Sequence, residues 1–129
     1  MDRGFISIDN GRVVVTPAAD GTVWMSKHQI ADLFGCFVAK VVSNIPIILK
    51  SGVLDEGMVC RFHRYRDGGG VELYNLEMIT ALAFRIGTRN ANIFRRWLME
   101  RAMHPERKFG IMSPITLLVP MRENRLLPN

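Results

Sequence analysis

Met25-Ser26-Lys27-His28-Gln29-Ile30-Ala31-Asp32-Leu33-Phe34-Gly35, continued by Cys36-Phe37-Val38-Ala39-Lys40-Val41-Val42-Ser43-Asn44-Ile45-Pro46, is the stretch on which the fold turns. Ser26 can cap a helix with its hydroxyl. Gln29, three residues on, completes a capping box in which each side chain satisfies the other's backbone N–H. Met25 before the cap and Ile30 after it are placed as a hydrophobic staple. Ile30, Leu33 and Phe34 share one helical face, and Gly35 is free to take the left-handed conformation that stops a helix. The pattern then restarts at once. Phe37, Val38, Val41, Val42 and Ile45 recur at helical spacing, with Lys40, Ser43 and Asn44 between them. Pro46 has no N–H and its ring crowds the preceding turn. The second helix is therefore expected to end or kink near Asn44, with a short further turn through Leu49 closed by Ser51-Gly52.

Two helices joined by a tight turn need a small residue where they cross and a glycine where the chain reverses. Ala31 and Gly35 supply these, with Ile30, Phe34 and Val41 placed to pack between the helices. The reading is a helix-turn-helix over Ser26 to Lys50.

Working outward, Arg12 to Thr16 is β-branched and ends at Pro17. Pro17-Ala18-Ala19-Asp20-Gly21 reads as a turn and Thr22 to Met25 as the partner strand, so a first hairpin is expected there. Downstream, Val59 to Arg66 alternates with period two, Asp67-Gly68-Gly69-Gly70 is a turn signal, and Val71 to Tyr74 returns. This second hairpin carries Arg61, His63, Arg64 and Arg66. Asn75 then caps a helix with Leu76, Ile79, Leu82, Ala83 and Ile86 on one face, ended by Gly87. Thr88 or Asn90 caps a last helix that turns Ile93, Phe94, Trp97 and Leu98 inward and Arg89, Arg95, Arg96 and Arg101 mostly outward, and Pro105 closes it. The expected fold is α+β: a winged-helix-like domain over residues 1–108 with a helix-turn-helix, two β-hairpins and two further helices. Residues 109–129 form a C-terminal extension, assigned to dimerisation. Within it, Ile115 to Val119 between Pro114 and Pro120 suits a short extended segment, and is more apolar than a free tail should be.

A length of 129 residues suits one domain, and 48% hydrophobic with 22% charged residues is a globular rather than a disordered balance. The net charge of +5 favours anionic partners, because phosphate neutralisation supplies affinity that is independent of sequence. Two cysteines, Cys36 and Cys60, are too few for a disulfide framework and read as reduced thiols. The N-terminal residues lack the layout of a signal peptide, and no apolar run reaches the ~20 residues that span a bilayer. A soluble cytoplasmic protein with no membrane partner is expected.

The stretch Val23 to Gly35 resembles the opening of the RhuM-type virulence-associated proteins, which reads VWLTQAQMAELFG. The similarity continues at Ser51-Gly52-Val53-Leu54-Asp55-Glu56, at Tyr74-Asn75-Leu76 and at Phe94-Arg95-Arg96-Trp97, spanning about Gly11 to Ala102. The resemblance implies a DNA-binding, transcription-regulator-like protein of bacterial or mobile-element type, with no catalytic residues to carry over. One departure matters. Where those proteins carry a polar run at the start of the second helix, this chain has Phe37, Val38, Ala39 and Lys40.

The expected site is accordingly a DNA interface, with Lys27, Lys40, Ser43 and Asn44 at the groove and Arg61, Arg64 and Arg66 on phosphates. The alternative is a protein-interaction or dimerisation module, in which apolar Phe37, Val38 and Val42 bury against a partner. Catalytic readings fall away. Cys60 and His63 have ligand-like spacing, yet a zinc site needs about four ligands and Cys36, His28 and His104 are scattered. As a nucleophile pair they fail too, because strand residues three apart face opposite ways. Gly68-Gly69-Gly70 lacks the lysine of a phosphate loop. Asp55-Glu56 reads as a helix start, and Trp24 and Trp97 as core. The expectation is a non-enzymatic protein without cofactor, metal or small-molecule substrate, whose partners are DNA and a second copy of itself.

Overall fold

The computed structural model describes residues 2–105. Over these residues the chain folds into five helices and two small antiparallel sheets. The domain boundary expected at 108 and the extension 109–129 lie outside the described residues.

The first sheet is a hairpin of β1 (Phe5–Asp9) and β2 (Arg12–Thr16), with Phe5 opposite Thr16 and Asp9 opposite Arg12. Asn10 and Gly11 make its two-residue turn with φ of 52° and 76°. Positive φ at both central residues is what a turn matched to the strand twist requires, and Asn-Gly meets that requirement with the least strain. This corrects the expected pairing of Arg12–Thr16 with Thr22–Met25. The Pro17–Gly21 segment instead closes on itself. Ala18 N–H bonds Thr22 O, Gly21 N–H bonds Ala18 O, and the Asp20 carboxylate accepts from both Thr22 N–H and its hydroxyl.

Strand β3 (Trp24–Met25) joins the second sheet, of order β3-β5-β4, in which β4 (Cys60–Arg64) and β5 (Gly70–Asn75) form the expected second hairpin. Met25 lies opposite Tyr74, and both turn into the main core. Trp24, Leu73 and Arg61 occupy the other face, as the pairs Trp24–Asn75 and Arg61–Leu73 dictate.

Helix α1 (Lys27–Phe34) starts on the capping box. Ser26 Oγ accepts from Gln29 N–H at 3.2 Å, and Gln29 Oε1 accepts from Ser26 N–H at 2.9 Å. It ends at Gly35, in the left-handed region with φ 65°. Helix α2 (Val38–Lys50) leaves at 111° to α1. It runs through Pro46 to Lys50 as one helix, so of the end or kink expected near Asn44 the end does not occur. Pro46 and Val42, the residue whose carbonyl loses its bond, are both exposed, so the break falls on the side of the helix open to solvent. Val41, Ile45 and Ile48 are buried on the opposite side and hold the helix down across the break.

A short helix α3 (Glu56–Val59) is capped by Asp55, whose carboxylate accepts from Gly57 N–H. Helix α4 (Leu76–Ala83) is capped by Asn75 through Met78 N–H and stops at Ala83, four residues before the expected Gly87. Helix α5 (Arg89–Met103) is capped by Thr88. The side chain of Arg95, expected outward, turns back to donate to Ala83 O at 2.5 Å and Ile86 O at 2.9 Å, and so satisfies carbonyls at and just beyond the end of α4. Phe34 and Phe94 meet edge to face at 5.7 Å and fasten α1 to α5.

Gly35→Ala should place a Cβ in left-handed backbone, a strain of about 1–2 kcal/mol. Thermal unfolding is expected to show a loss of roughly 4–15 °C. Gly87→Ala, whose Cβ would meet nothing within 4 Å, is the control and should change little. Equal melting temperatures for the two variants would show that the corner does not depend on this glycine.

Candidate nucleic-acid interface

Helix α2 is divided lengthwise. Val41, Asn44, Ile45 and Ile48, spaced three and four apart, face inward. Ala39, Lys40, Val42, Ser43, Pro46 and Lys50 are exposed. The helix contains no Asp or Glu, so its outward surface carries only positive charge, from Lys40 and Lys50. Ser43 is exposed, with its hydroxyl donating to Lys40 O at 3.1 Å.

Asn44 does not belong to this surface. Its side chain is only 7% exposed, its Nδ2 donates to Lys40 O at 2.8 Å, and its Oδ1 accepts from Arg85 Nε at 2.7 Å. Both ends of the amide are therefore occupied inside the protein. Asn44 is withdrawn from the expected base-reading set, because position 44 falls on the same stripe as Val41, Ile45 and Ile48. The sequence carried that signal in its spacing. Arg85 as the partner of Asn44 was not visible there, since 41 residues separate the two.

Phe37 takes the N-cap position of α2 without offering a side-chain bond, and its ring is 88% exposed. Val42 is also exposed, whereas Val38 packs partly against the core. Lys27, the first residue of α1, is exposed.

The β4–β5 hairpin carries the other cations. Arg61 lays its guanidinium over the Trp24 ring at 4.1 Å, and Arg64 sits over Phe62 at 5.6 Å. Being three residues apart on one strand, Arg61 and Arg64 leave from opposite faces. Arg66 is exposed in the turn. There Tyr65 N–H bonds Gly69 O, and the Asp67 carboxylate accepts from Gly69 N–H at 2.9 Å. Arg61 also roofs Trp24, which is nearly buried and whose indole Nε1 has no hydrogen-bond partner among the described residues.

The fold thus groups Lys40 and Ser43 on one helix face and Arg64 and Arg66 toward one hairpin end, with Arg61 bound to the tryptophan. Helix α2 packs on α1 and α4, and the hairpin packs on α3 and α4, so separate elements carry the two cationic surfaces.

Cys60 lies opposite Tyr74 and His63 opposite Val71, so the two side chains leave from different faces of the sheet. Burial, with Glu56 and Glu72 adding to it, pushes the Cys60 thiol up to about 11. Burial likewise raises the Cys36 thiol. Both sulfurs are held as neutral thiols rather than thiolates near neutral pH. Tyr74, which donates to Glu72 at 3.1 Å, is pushed above the ordinary tyrosine value by burial and by that carboxylate. Among the described residues no three His, Cys, Asp or Glu side chains cluster as metal ligands, and no single helix is long and apolar enough to cross a membrane. No protein-family model matches the chain, and no curated protein and no solved structure matches it.

Asn44→Ala should remove two part-buried hydrogen bonds, to Lys40 O and from Arg85 Nε, and lower stability by about 1–3 kcal/mol in urea denaturation. Ser43→Ala, one residue away on the exposed side, is expected to stay within about 0.5 kcal/mol. Equal effects would contradict the inward placement of Asn44.

Proposed function

We propose that this chain is a DNA-binding protein of the winged helix-turn-helix kind, acting as a binding module rather than an enzyme. The observation that carries the reading is the acid-free outward face of α2, held at 111° to α1 by a capped, glycine-ended corner. Helix pairs at about 90–120° joined by a short turn are those that lay their second helix in the major groove. The order strand, helix, turn, helix, short helix, hairpin, with β5 pairing both β3 and β4, suits a wing beside α2. The resemblance of Val23–Gly35 to RhuM-type proteins points the same way.

In this reading Lys27 and Lys40 approach the groove and its phosphates, and Arg64 and Arg66 track phosphates from the hairpin, with Arg61 joining them from its seat on Trp24. Base discrimination is small. Lys40 and Ser43 are the candidates left to contact base edges once Asn44 is removed, and Ala39 and Pro46 offer no hydrogen-bonding side chain. Affinity then comes mainly from charge.

Electrophoretic mobility shift with random duplex DNA over a salt series tests this. Engagement of Lys27, Lys40, Arg61, Arg64 and Arg66 predicts a slope of log affinity against log salt of about −4 to −5, with each cation removed flattening it by about one. Lack of binding at low salt, or binding indifferent to salt, would overturn the reading.

A second reading, a protein-interaction module, is favoured by one observation: Phe37 is 88% exposed at the start of α2, beside exposed Val42. Light scattering decides it, since a self-association that Phe37→Ser abolishes would support the interaction surface.

A further inference from the structure

A cleft of about 590 Å³ runs between the second half of α2, the loop that follows it, and α4. Much of its wall is apolar and stands open to solvent: Ile47 is 49% exposed, Val53 79% and Phe84 52%, with Leu76 beside them. An exposed apolar patch of this kind marks a surface that another molecule covers. The charged residues of the wall are Glu77, in the first turn of α4, and Arg85, just past its last. Both are exposed, and neither forms an ion pair among the described residues. The face is therefore balanced in charge, on a chain whose net charge is +5.

We propose that a second copy of this chain covers the cleft, in a two-fold contact in which the two α4 helices run antiparallel. A two-fold contact is self-complementary: where one residue of the first copy meets another of the second, the reverse pair forms as well. Glu77 and Arg85 stand four residues before and four residues after Ala81. A two-fold axis at Ala81 accordingly sets each copy's Glu77 beside the other's Arg85, two ion pairs from one surface. Ala81 has only a methyl side chain, which lets the helices approach closely at that axis. The same operation turns Phe84, at one end of α4, toward Leu76 at the other end of the second helix. Arg85 is prepared for this contact. Asn44 Oδ1 holds its Nε at 2.7 Å, which fixes the guanidinium at the rim of the cleft, and a guanidinium has further N–H donors to give.

Charge selects this surface over the others. A second large groove, between the β1–β2 hairpin and α5, is also apolar in part, through Val13, Val15 and Met99. Arg12, Arg95, Arg96 and Arg101 stand in it with one acid, Glu100, so a two-fold contact there would set arginines against arginines. The hollow beside Phe37 carries Lys40 and no acid. Copies of a chain with this net charge repel one another, and the balanced α2–α4 face lets them meet. A nucleic acid, by contrast, gains no phosphate neutralisation from a face without net charge. The contact uses the second half of α2 at Ile47 and Ile48 and leaves Lys40 and Ser43 open. It rests neither on the DNA-binding reading nor on the exposed Phe37.

Sedimentation velocity on the full chain, over a concentration series, tests the proposal. A reversible dimer is expected. Glu77→Lys and Arg85→Glu should each weaken it about ten-fold or more, because each turns two attractive pairs into two repulsive ones. Mixing the two variants should restore the dimer, since in a mixed pair every charge again meets its opposite. Phe84→Asp should abolish it, and Phe37→Ser should leave it unchanged. Glu77→Lys and Phe84→Asp keep the Asn44–Arg85 bond, and they decide the matter if Arg85→Glu does not fold. A chain that stays monomeric at the highest concentration, or a dimer that Phe37→Ser dissolves, would overturn the proposal. So would a dimer indifferent to Glu77→Lys or to Phe84→Asp, or folded charge variants whose mixture stays monomeric.

Discussion

The end of α1 is held by the beginning of α5, and the rest of the arrangement depends on this junction. A helix leaves its last carbonyls without partners, and here α5 provides them. Thr88 Oγ1 donates to Phe34 O at 2.5 Å while accepting from Ala91 N–H at 3.2 Å, so one hydroxyl closes α1 and opens α5. Asn90 Nδ2 donates to Leu33 O at 3.0 Å. The negative end of one helix dipole thereby meets the positive end of another. Phe34 against Phe94 buries the same joint in apolar surface. Because the exit of α1 is pinned on both counts, the direction in which Gly35 sends α2 is pinned with it.

Helix α5 works largely through polar side chains directed at other helices' ends. Ala91 and Phe94 are its buried residues, yet Thr88, Asn90 and Arg95 cap two neighbouring helices. The Asn44–Arg85 bond does a similar thing from the other side, tying α2 to the turn that follows α4. Part-buried polar pairs of this sort add little net stability and a good deal of geometric definition, since a displacement breaks their hydrogen bonds. A helix meant to present a surface at a set angle benefits from that kind of restraint.

What α2 presents is small, cationic and partly apolar. In the proposed function its outward side chains suit an approach to phosphates better than the reading of base edges. The hairpin shows a related compromise. Arg61 covers Trp24 on the face of the sheet opposite Met25 and Tyr74, a stabilising cation–π contact that also fixes where its charge sits. A single residue there serves the fold and, in the proposed function, the ligand.

The features legible in the sequence were those whose partners lie within a few residues. The capping box of Ser26 and Gln29, the Gly35 stop, the Asp67–Gly70 turn and the helix start at Asn75 all close over three or four positions, and spacing is enough to read them. Tertiary structure decided everything that needed a distant partner. β2 turned back to β1 through Asn10-Gly11 rather than forward to β3, α2 survived Pro46 because its apolar stripe was pressed onto the core, and Asn44 went inward to meet Arg85. Local hydrogen bonds are encoded where they form, whereas the burial of a stripe and the choice of a remote partner depend on which surfaces the whole chain brings together.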